Sequence, residues 1–558
     1  MLLYFRLSLH YPRTRHYSQE FANIGAQINR FQPMQLSDAS HLDCDLLVVG
    51  GGINGVGIAR DAVGRGLSVV LCEKDDLAQH TSSASTKLIH GGLRYLEYYE
   101  FSLVRKALQE REVLLRMAPH IMWPLRFVMP HDAAQRPAWM IRAGLFLYDH
   151  LAQRRFLPGS KSIKLAQHPS GKPLKPGYTR GFVYSDGWVD DARLVVLNAR
   201  DAADRGAQIL TRTRCLNAER RADGWHASLA GPDGIRSVRA KAIVNAAGPW
   251  AADFARAAHA LPSTRGLRLI KGSHIVVRRM FDHPFAYIFQ NPDGRIVFAI
   301  PYQNDFTLIG TTDLEYKGSV DQVAIDAGEI QYLCDMASRY FTQQLTPADV
   351  VWTYSGVRPL LDDSAANASA ITRDYLVECE TGADGNSAPL INVWGGKITT
   401  YRKLAEEALD QLAPHLPAAG KPSWTATASL PGGDLEAPGQ LVAEYTFDDF
   451  VARLQKRLPW LPTSLATRYA HQYGTRVNTL LAGAARLEDL GAELTPGLYE
   501  AEIRYLIEHE WARTAQDILW RRTKLGLYAN DAERGRLEGW LMRHLPENEA
   551  APVAERAP

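Results

Sequence analysis

The sequence predicts an α/β fold with three parts: a parallel βαβ unit near the N-terminus, a mixed sheet in the middle and a helical domain at the C-terminus. Three observations predict it. Asp45-Leu-Leu-Val-Val-Gly50-Gly51-Gly52-Ile-Asn54-Gly55 is a short apolar run that enters a glycine turn and then a helix. Segments such as Arg295–Pro301 and Phe306–Asp313 read as paired strands far down the chain. From about Glu444 to Leu545 the apolar spacing is helical, with Phe447, Phe450, Leu454, Trp511, Leu519 and Trp520.

The first element carries the sharpest chemistry. Gly50, Gly52 and Gly55 match G-x-G-x-x-G. The first allows a tight turn, the second lets backbone approach a pyrophosphate, and the third lets helix and strand pack closely. The helix start turns free N–H groups and its positive dipole end towards the phosphates. A second strand, Leu67–Cys72, ends at Glu73, 18 residues past Gly55, where a carboxylate meets a ribose hydroxyl. This pattern binds a dinucleotide and does not by itself separate NAD from FAD.

The totals bound the rest. A chain of 558 residues holds two or more domains, since single cores stop growing at about 250–300 residues. With 46% hydrophobic and 22% charged residues it is ordinary globular material. A net charge of +2 gives no case for nucleic acid. The five scattered cysteines (Cys44, Cys72, Cys215, Cys334, Cys379) show no C-x-x-C spacing, so no metal site is expected and a reducing setting fits. No apolar run reaches the roughly 18–20 residues of a transmembrane helix.

Residues 1–42 are an Arg-rich extension, with Arg6, Arg13, Arg15 and Arg30 against Glu20 before Met34. It is expected to be poorly ordered, with Met34 as the true start; a transit peptide is the alternative. Thr81 to Tyr95 is a loop rich in hydroxyls and glycine, carrying Lys87, His90, Arg94 and Tyr95, and a loop beside a dinucleotide site usually serves it. A helix from about Phe101 stops before Pro119, and Asp190 or Asp191 caps another. Trp139–Tyr148 is apolar nearly all round and flanked by Arg136, Arg142, Arg154 and Arg155. It fits a buried core helix or, alternatively, an interfacial segment. Pro414–Pro438 reads as a linker.

A second glycine turn, Trp394-Gly395-Gly396-Lys397-Ile-Thr399-Thr400, opens a helix more than 300 residues after the first. A flavoprotein with extended FAD uses such a turn, because a helix N-terminus at the ring stabilises negative charge on the reduced flavin. That favours FAD over NAD. Together with Thr81–Leu96, Tyr184–Arg193, Asn245–Trp250, Lys271–His274, Gly310–Asp313, Tyr354–Leu360 and Trp394–Leu404, in this order, the chain resembles the FAD-dependent, respiratory glycerol-3-phosphate dehydrogenases. The resemblance runs from about residue 43 to 545. The bacterial form fits better than the mitochondrial animal form, since no D-x-D-x-D-G calcium loop is found and only the leader is foreign to it.

The resemblance implies a fold of the glycine oxidase and D-amino-acid oxidase type: a discontinuous FAD-binding Rossmann-like domain, a mixed-sheet substrate domain and a helical cap. The expected division is a 1–42 extension, an oxidoreductase body over 43–413, a 414–443 linker, a 444–545 helical domain and a 546–558 tail. Nucleotide-binding parts are expected near 43–100, 180–260 and 350–413, with the substrate domain mainly over 101–179 and 261–349.

The implied activity is oxidation of sn-glycerol 3-phosphate to dihydroxyacetone phosphate, with electrons passed through FAD to membrane quinone. The implied place is the inner face of the cytoplasmic membrane, against its lipid surface, and a homodimer is left open. The rival readings are a glycerophosphate oxidase using oxygen, another FAD enzyme of the D-amino-acid oxidase type, a flavin-binding protein without catalysis, and an NAD-dependent dehydrogenase.

By the same resemblance Gly50, Gly51, Gly52, Asn54, Gly55, Glu73, Thr81, Ser82, Ser83, Ser85, Lys87, His90, Gly91, Gly92, Ala247, Gly248, Gly395, Gly396, Lys397, Thr399 and Thr400 hold the cofactor. Arg94, Arg358 and Arg373 surround the substrate, and the planar guanidinium suits a phosphate. Tyr95 bonds the substrate or flanks the ring. His274 is the candidate base, since imidazole titrates near working pH. His90 is the weaker candidate. Lys397 stabilises the reduced flavin or touches the substrate.

Overall fold

A computed structural model describes residues 41–132, 135–258, 266–361, 374–382, 387–435 and 447–546. The expectations about the N-terminal extension, the C-terminal tail and Arg373 lie outside the described residues. Leu42 onward forms one unit, built on two sheets.

The first sheet has the order Leu376–Glu380, Leu390–Trp394, Gly234–Asn245, His41–Val49, Val69–Cys72, Gln208–Leu210, with a hairpin of Arg214–Arg221 and Gly224–Gly231 attached. His41–Val49 pairs in parallel with Val69–Cys72, Leu46 opposite Val69. Leu46, Leu47 and Val48 are fully buried, as a central parallel strand covered on both faces requires: Leu46 and Val48 meet the helices, and Leu47 meets the hairpin around Trp225 and Leu229. The helix Ile53–Gly64 packs against Asp191–Asp204 on one side and Tyr401–Leu412 on the other. Asp190 caps Asp191–Asp204 by accepting from Arg193 N.

The second sheet runs Leu314–Glu315, Leu267–Arg278, Phe306–Gly310, Ile296–Tyr302, Ala286–Gln290, Met122–His131, Arg180–Val189, Leu88–Ile89, with Val350–Leu361 also paired to Leu267–Arg278. Here the structure differs from the expected division. Arg180–Val189 and Val350–Leu361 belong to this sheet and not to the nucleotide-binding one. Both are long antiparallel partners of distant strands, Met122–His131 and Leu267–Arg278.

The expected linker also differs. Trp424 lies against Gly64, leaving no room for a Cβ there, and Arg60 and Arg205 sit over its ring at 4.9 and 4.1 Å. Ala419, Thr425 and Leu430 are buried. Residues 417–435 are therefore packed structure on the first sheet's helices; the remainder of the expected linker, 436–443, lies outside the described residues.

The C-terminal helices have their own core around Leu454, Tyr469, Tyr473, Ile503 and Trp540. They are held to the first sheet's domain by buried ion pairs. Arg522 grips Asp76 with both terminal nitrogens, at 2.7 and 2.8 Å, and Arg521 Nε reaches the same carboxylate at 2.6 Å. Arg193 pairs with Glu510, and Lys524 with Asp190. Removing one member of such a pair strands the other charge in a dry interior. Asp76→Ala is expected to cost about 3–5 kcal/mol, read as a lower thermal midpoint. A midpoint within a degree of the parent contradicts the latch.

Candidate active site

Two cavities have neighbouring residues in their walls, Arg358 in one and Pro359 in the other. The larger, of about 370 Å³, is a cleft lined by Gly50, Gly52, Asn54, Glu73, Thr81 and Ser82 and, further along, by Ala247, Gly248, Gly395 and Gly396. Gly50 has φ +112°, and a Cβ on it would stand 2.5 Å from Ala246 O; one on Gly55 would stand 1.9 Å from Gly50 O. Backbone fills the space that side chains would take, so the turn can come close to a bound pyrophosphate only with glycine at both positions. Glu73 accepts Gly51 N at 2.7 Å and Asp75 N at 2.9 Å. Burial pushes its carboxyl above the ordinary value against the pull of those two N–H groups.

The second glycine turn touches the first. Asn54 Nδ2 donates to Gly395 O at 3.0 Å, and Gly395 and Gly396 have φ of +72° and +109°. The two turns, with Asn54 and Gly395 341 residues apart in sequence, thus touch in one wall. Ser82 Oγ accepts Ile53 N at 3.0 Å, and Thr81 Oγ1 donates to Val357 O at 2.7 Å, fastening the hydroxyl-rich loop across the cleft.

Ser85 and Lys87, expected at the cofactor, instead turn to buried Asp191, at 2.7 Å each. Ser83 bonds His80 O within its own turn. Thr399 Oγ1 accepts His90 N at 3.2 Å and positions the neighbouring cavity's wall. Thr400 is buried at the head of the helix Tyr401–Leu412.

The smaller cavity, of about 110 Å³, is lined by His90, Gly92, Arg94, Tyr95, Thr311, Asp313 and Arg358 and by Asp186 and Arg295. It brings together Arg94, Tyr95 and Arg358, expected at the substrate. Arg358 donates from Nη2 to Thr312 O at 3.1 Å and meets Asp313 Oδ1 at 3.2 Å. Gly272 makes room for it, since a Cβ there would lie 2.5 Å from Arg358 Nη2. Gly91 N is held by Tyr148 Oη at 2.9 Å, and Tyr148 donates to Asp186 at 2.7 Å. Lys397 lies at the junction of the two cavities: it follows Gly396, and its Nζ is 3.9 Å from the Tyr95 ring centre.

His274 is not among the lining residues. It is 2% exposed, stacked on Tyr354 at 4.7 Å, with Nε2 3.0 Å from Thr86 Oγ1. Its Nδ1 has no hydrogen-bond partner among the described residues. Burial, then Lys87, then Arg358 hold its pKa well below the ordinary imidazole value, so the ring is neutral. It stands two residues along the same strand from Gly272, hence on the face that Arg358 occupies.

Residues that the sequence reading missed fall in two groups. Arg295, Asp313 and Asp186 join the small cavity; each stands near a glycine (Gly294, Gly310, Gly187), but no spacing ties the three together. Lys74, His80 and Trp250 line the large cleft, with Lys74 Nζ 3.8 Å from the Trp250 ring and His80 edge-on to it. Gly248-Pro249-Trp250 was legible as a turn, but nothing local marks Trp250 as a wall.

A cleft walled by two glycine turns, with Glu73 in its lining and a small chamber holding Arg94 and Arg358 beside it, fits FAD. The family model of the FAD dependent oxidoreductases matches residues 45–402. The chain belongs to this family. FAD is its cofactor. A second model, the C-terminal domain of alpha-glycerophosphate oxidase, matches residues 423–540, so the C-terminal domain includes part of the expected linker.

Among curated relatives, a D-erythritol 1-phosphate dehydrogenase of Brucella abortus is 52% identical over 89% of this chain and 97% of its own. A glycerol-3-phosphate dehydrogenase of Pseudomonas aeruginosa is 54% identical over 90% and 96%. The aerobic glycerol-3-phosphate dehydrogenase of Escherichia coli is 51% identical over 90% and 97%. The crystal structure of a glycerol-3-phosphate dehydrogenase from Bacillus halodurans complexed with FAD superposes with a TM-score of 0.72 at 27% identity, covering 91% of this chain and 92% of that one.

Proposed function

We propose that this chain is a respiratory glycerol-3-phosphate dehydrogenase: it oxidises sn-glycerol 3-phosphate to dihydroxyacetone phosphate and passes the electrons to membrane quinone. The observation that carries the reading is the chamber itself. At about 110 Å³ it is far below the roughly 300–1,000 Å³ of common ligand pockets. It draws Arg94 and Arg358 to one small space beside the cleft, which suits a small, doubly charged phosphate; Arg295 also lines it but turns its guanidinium to Tyr332 and Asp293. The relatives' names point to the same substrate class.

Bound FAD supplies the hydride acceptor. The chain supplies the rest. Arg94 and Arg358 bind the phosphate, Arg358 being oriented by Asp313 and Thr312. Arg373 joins them by the family resemblance. Tyr95 and His90 close the wall around the carbon skeleton. Lys397 places a positive charge at the junction, where negative charge grows as the substrate is oxidised. Neutral His274 takes the C2 hydroxyl proton at Nε2 or through Thr86 Oγ1. A phosphate dianion on Arg358 offsets one of the charges that depress the imidazole, raising its basicity when substrate arrives. His274→Ala is expected to slow flavin reduction about 10²-fold or more in anaerobic stopped flow, with the flavin still bound. An unchanged rate removes His274 from proton transfer.

The chain lies on the inner face of the cytoplasmic membrane, where its quinone is. Among the described residues no helix is long and apolar enough to cross a membrane, so contact with lipid is peripheral for this part of the chain. A purified enzyme that yields peroxide instead of reduced quinone favours the oxidase reading. A second substrate, D-erythritol 1-phosphate, has one specific observation behind it, the Brucella relative at 52% identity. It is one carbinol longer. Comparing kcat/KM for the two phosphates decides between them, and the higher value is expected for glycerol 3-phosphate.

A further inference from the structure

The helix Ala138–His150 is amphipathic the wrong way round for a core element. Leu145, Tyr148 and Asp149 are its buried residues. Trp139, Met140, Phe146 and Leu147 are exposed, at 70%, 42%, 57% and 38%. With Ala143 and His150, both exposed, they occupy one arc of about 120° at 3.6 residues per turn. The stripe therefore faces outward along three turns. The sequence left a core helix and an interfacial segment open, and the exposure of the stripe excludes the first.

Neighbouring residues extend the face. The turn Leu93–Tyr98 packs against the helix, and Tyr98, Tyr99 and Phe101 are exposed at 42%, 80% and 40%. Phe156, past the helix, is 40% exposed. Arginines rim the patch. Arg105 and Arg155 are exposed, Arg136 has over half its side chain in water, and Arg142 is tied to Ser160 Oγ at 3.0 Å. Of the nearby acids, Glu97 pairs with Arg136 at 3.2 Å and Asp149, mostly buried, with Arg154 at 3.5 Å; Glu100 is exposed.

From this geometry we infer that the outward face of Ala138–His150, with Tyr98, Tyr99, Phe101 and Phe156, is the surface that docks on an anionic lipid bilayer. The helix lies in the plane of the headgroups, with its aromatic stripe in the acyl boundary and its arginines on the phosphates. Thirteen residues are too few to span. A two-fold contact between copies of this chain would set the same arginine rim against itself, whereas an anionic surface complements it.

The position joins this surface to the proposed function, on which this part of the inference rests. Tyr98 belongs to the patch and also lines the small chamber. On the helix's inner side Tyr148 holds Gly91, at the start of the loop that carries Arg94. Docking by this face sets the mouth of the chamber against the phase in which a quinone dissolves.

The test is flotation of the FAD-loaded full chain with vesicles of phosphatidylglycerol and phosphatidylethanolamine, against phosphatidylcholine alone. The parent chain is expected to float with the anionic vesicles. Trp139→Glu with Phe146→Glu is expected to lower partition tenfold or more. Arg105→Glu with Arg155→Glu is expected to lower it on anionic vesicles only. Both variants should keep bound flavin and turnover with a water-soluble electron acceptor, which shows that they fold. Undiminished flotation of the aromatic variant overturns the inference. So does a parent dimer that the aromatic variant converts to monomers while flotation is unchanged, because the face then joins two copies. Flotation does not depend on turnover: if the parent floats as expected but leaves its flavin oxidised with glycerol 3-phosphate, the substrate reading fails and the docking surface stands.

Discussion

Arg358→Ala raises the KM for glycerol 3-phosphate by about 30- to 150-fold, while the protein stays yellow. Losing one partner of a charge-assisted phosphate contact costs about 2–3 kcal/mol, at about 1.4 kcal/mol per tenfold. The lower part of the range reported for desolvated pairs applies because the guanidinium keeps 30% of its side-chain exposure. Flavin content should not change, since Arg358 lines the small chamber and is absent from the lining of the cofactor cleft. Arg358→Lys should recover only part of the loss: an ammonium cannot bind phosphate in a bidentate fork while also meeting Asp313 and Thr312. Steady-state kinetics with flavin absorbance per chain decide it. Loss of flavin with unchanged KM removes Arg358 from the phosphate clamp.

Gly55→Val gives a colourless chain that does not bind FAD. The closest contact of a Cβ at Gly55 is a backbone oxygen, Gly50 O at 1.9 Å. That atom cannot swing aside as a side-chain tip would. The turn must open, and with it the Gly51 N bond to Glu73 and the Asn54 bond to Gly395. The measurement is bound flavin per chain after purification in excess FAD, with circular dichroism to show that the second sheet and the helical domain persist. A stoichiometric flavin content contradicts the phosphate role of this turn.

How much was legible in the sequence follows the range of the signals. The βαβ unit, its glycine turn and Glu73 are local, and they fold as a short apolar run between turn residues dictates. The Asp190 cap is equally local. The hydroxyl-rich loop was found but its side chains were not sorted: Ser85 and Lys87 serve Asp191, a hundred residues on, which no spacing rule shows. Arg94 and Arg358 stood out because they flank glycine turns. Arg295 and Asp313 also stand near glycines, Gly294 and Gly310, but no spacing links them to Arg94 or Arg358, and only the second sheet brings them to the same chamber.

Long-range pairing explains the other differences. Arg180–Val189 and Val350–Leu361 alternate as any strand does, and only their partners show which sheet they join. The proline- and glycine-rich stretch after Leu412 carries the composition of a linker, yet Trp424 finds the surface around Gly64 and packs there. For Ala138–His150 the stripe could be read from the sequence, but its direction is decided by Tyr148 bonding to Asp186 and Gly91, which turns the aromatic face to the outside.

In the proposed function the cationic chamber presents glycerol 3-phosphate to FAD. Anaerobic mixing of the FAD-loaded protein with glycerol 3-phosphate in a stopped-flow spectrometer tests it most directly. Bleaching of the flavin by one equivalent of substrate, followed by recovery of colour on adding a quinone, is the predicted result; flavin that stays oxidised under excess glycerol 3-phosphate contradicts it.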